Sequence, residues 1–287
     1  MHLGVTFPQL EIGTDPAVIR DYAQAAQGLG YSYLLAYDHV LGADPAHRPG
    51  WRGYTHQDQF HEPFVLFGYL AGVAPRLELV TGVIVLPQRQ TALVAKQAAQ
   101  VDILTSGRFR LGAGIGWNEV EFEALGMNFK DRARRFEEQI EVLRLLWTRP
   151  VVTFEGKYHR ITEAGINPLP VQRPIPIWMG GMAEPVLRRV ARLADGWMPL
   201  GRITDEQRGR ITRLRQYVAE AGRPGDAVGI DARLDLRAVP EAEWSEEVAR
   251  WQEAGATHLS VNTMGAGLAT PRDHIVAIER FMRAVKG

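Results

Sequence analysis

Cysteine is absent from the 287 residues. Disulfides, thiolate nucleophiles, iron–sulfur clusters and cysteine zinc sites are excluded with it. Lysine is almost missing as well: Lys96, Lys130, Lys157 and Lys286 are the four present. None of them ends an apolar, β-rich run, so Schiff-base chemistry, which needs a buried lysine, is not expected. No charge of one sign dominates, because 33 basic residues stand against 33 acidic ones. A nucleic-acid partner calls for a positive surplus to meet phosphates and is not expected. No apolar run approaches the roughly 18 residues of a membrane span. The opening Met1-His-Leu-Gly-Val-Thr-Phe-Pro8 lacks the basic and long apolar regions of a signal peptide. The expectation is a soluble cytoplasmic protein that handles a small molecule, with neither nucleic acid nor membrane as partner.

Short apolar, β-rich runs alternate with longer helical patterns along the chain, which points to βαβ units and a parallel sheet. Strands are predicted at Leu3–Phe7, Tyr33–Tyr37, Leu77–Val83, Phe109–Ala113, Ile177–Met179, Gly196–Pro199, Val228–Leu234 and His258–Val261. Helices are predicted between them and after the last. The first, Asp15–Leu29, carries Asp15 as N-cap, Pro16 in its first turn and Gly30 at its end. The helix Asp131–Trp147 places Phe136, Ile140, Leu143 and Trp147 on one face. Two segments interrupt the rhythm. A polar stretch from His39 to His61 is longer than most loops and reads as a functional cover. An insertion over 149–176 holds a small hairpin at Thr153–His159 and a proline-rich run from Pro168 to Pro176. Strict alternation without a dividing linker favours a single-domain (β/α)8 TIM barrel, which leaves no sheet edge; a doubly wound open sheet is the alternative.

In such a barrel the chemistry sits at the C-terminal ends of the strands. Only one carboxylate, Asp38, ends a strand, whereas glycoside hydrolysis needs two. The eight histidines include no His-x-His pair of the kind that holds a hydrolytic metal. What the ends do offer is glycine: Gly82, Gly112, Gly114, Gly116, Gly180, Gly181 and Gly201. Glycine allows close approach of a flat ring or a phosphate, and it equally serves tight packing. Gly112-x-Gly114-x-Gly116 is not the dinucleotide fingerprint, because Trp117 stands where a third glycine is needed. Asp38-His39, closing an apolar strand before the long loop, is the most pointed pair, with His39 able to polarise a carbonyl or move a proton. A site poor in protein nucleophiles and rich in glycine suits a cofactor that brings its own reactivity.

Leu79-Val-Thr-Gly-Val-Ile-Val-Leu-Pro-Gln-Arg89, Asp102-Ile-Leu-Thr-Ser-Gly-Arg-Phe109, Leu111-Gly-Ala-Gly-Ile-Gly-Trp-Asn-Glu119, Pro176-Ile-Trp-Met-Gly-Gly181 and Ala194-Asp-Gly-Trp197 together resemble the luciferase-like monooxygenase superfamily, over essentially the whole chain. The branch it looks most like uses the deazaflavin coenzyme F420 as hydride carrier. The resemblance implies a cofactor at the C-terminal face of the barrel and a non-prolyl cis peptide at Gly82–Val83. It implies a deazaflavin-contacting pair at Asp38 and His39, and a backbone-contacting turn over Gly112, Ala113, Gly114 and Gly116, followed by Trp117 and Asn118. It places Met179, Gly180 and Gly181 on the phosphate side, Gly201 and Arg202 near the cofactor tail, and Phe7 at the first strand end. A homodimer is expected on the same ground. In sugar-phosphate dehydrogenase members a glutamate follows the glycine turn; here Trp117 holds that place, so glucose-6-phosphate is a poor substrate expectation. An FMN-dependent monooxygenase using O₂, and a catalytically silent flavin-type binding protein, are the competing readings.

Overall fold

The computed structural model describes residues 1–287. Its strands are β1 (His2–Thr6), β2 (Tyr33–Ala36), β3 (Glu78–Thr81), β4 (Ile84–Val85), β5 (Phe109–Gly114), β6 (Val152–Glu155), β7 (Arg160–Ala164), β8 (Ile177–Gly180), β9 (Gly196–Met198), β10 (Gly229–Asp235) and β11 (His258–Asn262). The helices are α1 (Pro16–Gly28), α2 (Pro63–Val73), α3 (Thr91–Leu104), α4 (Glu119–Ala124) and α5 (Arg132–Thr148). After the β6–β7 hairpin come α6 (Glu184–Leu193), α7 (Asp205–Glu220), α8 (Trp244–Glu253) and α9 (Pro271–Lys286).

All strands except the hairpin join one parallel sheet in the order β3-β2-β1-β11-β10-β9-β8-β5, and pairing of β3 with β5 closes it. The expected barrel is therefore present. β4 continues the third position after a break and pairs with β5 through Ile84↔Ala113. The Gly82–Val83 peptide at that break is cis, as expected.

Local chemistry places the helices. The Asp15 carboxylate caps α1 by accepting from the Ala17 amide at 2.8 Å, and Gly30, with φ of 81°, turns the chain into β2. Glu62 caps α2 in the same way through the Val65 amide. On α5 the side chains of Phe136, Ile140, Leu143 and Trp147 are all buried against the barrel. The hairpin extends further than its sequence signal, with its turn at Gly156–His159 and its second strand running to Ala164. That strand is exposed along most of its length, so it has no reason to alternate and left no period to read.

The main core fills the space between sheet and helices, and Trp147, Trp197 and Trp251 are fully buried there. A second cluster, Tyr33, Leu35, Val80, Trp178 and Met198, fills the inside of the barrel. Beneath it an ionic floor joins the strand beginnings. The Arg110 guanidinium lies between the rings of Tyr33 and Trp178, 4.7 and 4.5 Å from their centroids. It donates to Glu78 at 2.8 Å and to Asp231 at 3.3 Å, and Asp231 also accepts from the Tyr33 hydroxyl at 2.5 Å. The open end of the barrel is thus the end where the strands finish.

Candidate active site at the barrel mouth

Strand alternation sorts the expected residues before any chemistry does, because neighbouring side chains point in opposite directions. Phe7 faces the helices, its ring edge-on to Tyr22 and His61 with centroids 5.9 and 5.7 Å away. Ala113 and Met179 lie in the same helix-side core. The side chains of Phe7, Ala113 and Met179 thus face away from the barrel interior, which leaves only their backbone toward the mouth. Gly112, Gly114 and Gly180 point the other way, into the barrel. A Cβ on Gly112 would lie 1.8 Å from the Thr81 carbonyl oxygen; on Gly114 it would lie 2.7 Å from Val83 Cγ2, and on Gly180 3.1 Å from Val83 Cγ1. The glycines let the strands close around Val83, which follows Gly82 at the break in the third strand. Together with Leu35, Val80 and Met198 they form an apolar, nearly featureless wall, the shape on which a planar heterocycle stacks.

The wall made by β10, β11, β1 and β2 is polar. Arg233, Asp235, Asn262, Thr6 and Tyr37 stand along it, and the Arg233 guanidinium covers the Tyr37 ring at 4.8 Å. Thr6 Oγ1, Ser260 Oγ and Arg233 Nε are buried there without a hydrogen-bond partner. Buried polar atoms are normally satisfied, so three orphans on three adjacent strands fit a guest with a polar edge.

Asp38 does not face that guest freely. It is 3% exposed, and its oxygens accept from Arg89 at 2.7 and 3.3 Å and from the Val85 amide at 3.0 Å. Its carboxylate ties β2 to β4 and to Arg89, which reaches on to Glu62 at 3.1 Å.

His39 is held at the mouth by a carboxylate partner. Its Nδ1 lies 3.0 Å from Glu121 Oε1. The same oxygen accepts from the Val40 amide at 3.0 Å, and Oε2 accepts from Gln88 at 3.0 Å. Burial alone raises a carboxyl pKa, but the bonds from His39, Gln88 and the Val40 amide outweigh it and hold Glu121 below its ordinary value. An ionised Glu121 can only accept, so His39 Nδ1–H donates and Nε2, which has no protein partner, is left for a ligand. The rings of Tyr54 and Phe60 pack on the imidazole at 4.6 and 4.7 Å, and Trp117 lies at 5.9 Å. Tyr54 and Phe60 come from the long loop after β2, which therefore covers the site; a cleft of about 260 Å³ remains between His39 and that loop.

The remaining expected residues have plainer duties. Trp117 is half exposed and meets Trp51 of the covering loop at 5.9 Å. Asn118 caps α4 by accepting from the Val120 amide at 3.1 Å. Gly116, Gly181 and Gly201 make turns with φ of 73, 121 and 90°. Arg202 is held by Glu243 at 2.5 Å and Glu247 at 3.5 Å, so its charge is already met on the α8 side, and the geometry gives no support to its holding a cofactor tail. A larger cleft, about 890 Å³, lies on the flank between α5 and the hairpin, where Arg144 and Arg192 are paired with Asp195 and Glu137.

Glu121, Tyr37, Phe60 and Arg233 were not singled out as site residues from sequence. A signal for Glu121 existed: Asn118-x-x-Glu121 has the spacing of a helix capping box. It marks α4, a helix too short for an apolar period, yet the glutamate turns to His39 instead of back to its own helix.

A family model described as luciferase-like monooxygenase matches residues 1–274. An uncharacterized protein of Mycobacterium tuberculosis is 38% identical over 224 residues, 76% of this chain and 77% of that one. The FMNH(2)-dependent dimethylsulfone monooxygenase of Pseudomonas putida is 28% identical over 261 residues, 88% of this chain and 68% of that one. Among solved structures, an F420-dependent secondary alcohol dehydrogenase in complex with an F420–acetone adduct superposes with a TM-score of 0.79 at 17% identity, covering 100% of this chain and 99% of the other.

Proposed function

The chain belongs to the luciferase-like monooxygenase family, and on that premise we propose that it is a coenzyme F420-dependent oxidoreductase. Val83, Gly112, Gly114, Gly180 and Met198 would hold the deazaflavin ring. When bound, it supplies a carbon, C5, that gives or takes a hydride. His39 Nε2 hands a proton to the substrate oxygen, or takes one from it, as the hydride moves. Glu121 holds the imidazole in the tautomer that leaves Nε2 outward. Tyr54, Phe60 and Trp117 keep water from the proton path, and a small organic molecule is the substrate.

The observation that carries this reading is the His39–Glu121 pair at the barrel mouth, with no group of side chains able to hold a metal. Hydride transfer to or from a carbon–oxygen bond needs one proton relay, and one is what the site holds. Oxygenation with FMN is the second reading, favoured by the likeness to the dimethylsulfone monooxygenase.

Fluorescence titration with coenzyme F420 and with FMN decides between them. Micromolar or tighter binding of the deazaflavin and much weaker binding of FMN is expected; the reverse order selects oxygenation. His39→Ala is expected to retain the coenzyme and lose turnover. Unchanged turnover of a confirmed substrate removes His39 from the reaction.

A further inference from the structure

Arg233 enters the upper barrel without a hydrogen bond or ion pair, and of the carboxylates beside it on β10 it attracts Asp231 only through space. It stands on the inner face of β10 between Asp231 and Asp235. Asp231, one step deeper, is taken by Arg110 and the Tyr33 hydroxyl. Asp235, one step higher, is taken by Arg237 and accepts from Asn262 at 3.4 Å. Arg233 itself makes no hydrogen bond or ion pair; its Nε is buried without a partner, and its only close neighbour of note is the Tyr37 ring. A guanidinium is always protonated and carries five donors in a fixed fork. Holding one partly buried and unbonded is costly unless a ligand completes it.

The surroundings match a small anion. Ser260 lies directly across from Arg233 in the β10–β11 register, and Gly4 lies across from Ser260 on β1. Two residues further along β1, Thr6 faces the same space. The hydroxyls of Ser260 and Thr6 are the two other orphaned polar atoms of this wall. Tyr54, which packs on His39, has its hydroxyl pKa raised chiefly by burial and by Tyr37, with the Arg233 charge opposing the rise. Arg233 covers the Tyr37 ring, and Tyr54 packs on His39.

We infer that Arg233, with Ser260 and Thr6, forms an oxyanion subsite that receives a carboxylate or like-shaped anionic group of the substrate. The fork takes two oxygens side by side and the hydroxyls take what remains, so the reacting carbon is held toward His39. The inference rests on the proposed oxidoreductase function for its meaning, but not for its test. A carbonyl edge of the bound heterocycle offers similar acceptors, and the experiment separates the two sources.

Benzoate and its neutral isostere benzamide are titrated into the protein by calorimetry, with and without coenzyme F420, for the native chain, Arg233→Met and Arg233→Lys. The expected result is that the native protein prefers benzoate, and that R233M weakens benzoate binding roughly ten- to hundred-fold. R233K, which keeps the charge without the fork, falls between, and coenzyme affinity is the same in all three. If R233M fails to fold, R233K alone carries the comparison. No preference for benzoate in the native protein overturns the inference. So does a loss of coenzyme affinity in R233M or R233K with benzoate binding untouched, because the guanidinium then serves the heterocycle. If the native protein binds neither F420 nor FMN yet prefers benzoate through Arg233, the subsite stands and the proposed function falls.

Discussion

His39 and Glu121 are 82 positions apart, and each is ordinary until the other is beside it. A histidine at a strand end is a common structural residue, and a glutamate in a short surface helix is usually solvated. Together they make an imidazole with one nitrogen committed and one free. Replacing Glu121 by Gln keeps the shape and removes the charge. We expect E121Q to lower the rate of hydride transfer roughly ten- to hundred-fold, to leave coenzyme affinity unchanged, to lower the melting temperature because the bonds that depress the Glu121 pKa are weakened, and to alter the pH dependence of kcat. A rate and profile like the native ones would show that Glu121 merely fills space. The sign of the pH effect follows from the lowered pKa of Glu121. Its carboxylate is fully present above the ordinary glutamate value of 4.5 and is lost only as the pH falls through the lower folded value. Any loss of activity between neutrality and that point belongs to another group.

The glycine-rich ends of β5 and β8 were readable as special, but whether they touch a ligand or each other was not. Their first duty is contact with protein. The Gly112 Cβ position lies 1.8 Å from a backbone carbonyl oxygen of β3, whereas the tightest contacts at Gly114 and Gly180 are with the Val83 side chain. Backbone cannot step aside and a valine can. Gly112→Ala is therefore expected to cost about 3 kcal/mol or more in urea unfolding, against about 1 kcal/mol for Gly114→Ala. G114A, which disturbs the apolar wall itself, is expected to weaken coenzyme binding as well. Equal stability losses would mean that the third strand is looser at its break than these contacts require. The same lesson holds for α4 and for the hairpin strand β7. Periodicity reveals an element when the element has two different faces over enough turns. A six-residue helix and an exposed strand meet neither condition, so one was missed and the other was drawn too short.

The barrel as a whole is closed at its base by charge as well as by packing. Arg110 joins β5 to β3 through Glu78 and to β10 through Asp231, and Tyr33 brings in β2. Burial favours the neutral form of Asp231 and raises its pKa, with the Arg110 charge opposing. Removing one partner leaves a buried charge without compensation. Arg110→Met is expected to cost about 3–5 kcal/mol by chemical denaturation, and the double change R110M/D231N to recover part of that. A neutral outcome for R110M would mean that water reaches the floor and shares its charges.

Eight strands in alternation with helices, the insertion between α5 and β8, the long loop after β2, and the place of His39 at a strand end all followed from patterns within a few residues of each other. Such patterns are local because the periods of strand and helix are local, and because a barrel places every strand end on one face whatever the side chains are. The partners were another matter. Folding brought Glu121 to His39, spent Asp38 on Arg89 and Arg202 on Glu243, and left Arg233 with none. A hydrogen bond acts over about 3 Å, and with 33 acidic residues in the chain, only the closed three-dimensional packing chooses which one comes within that reach.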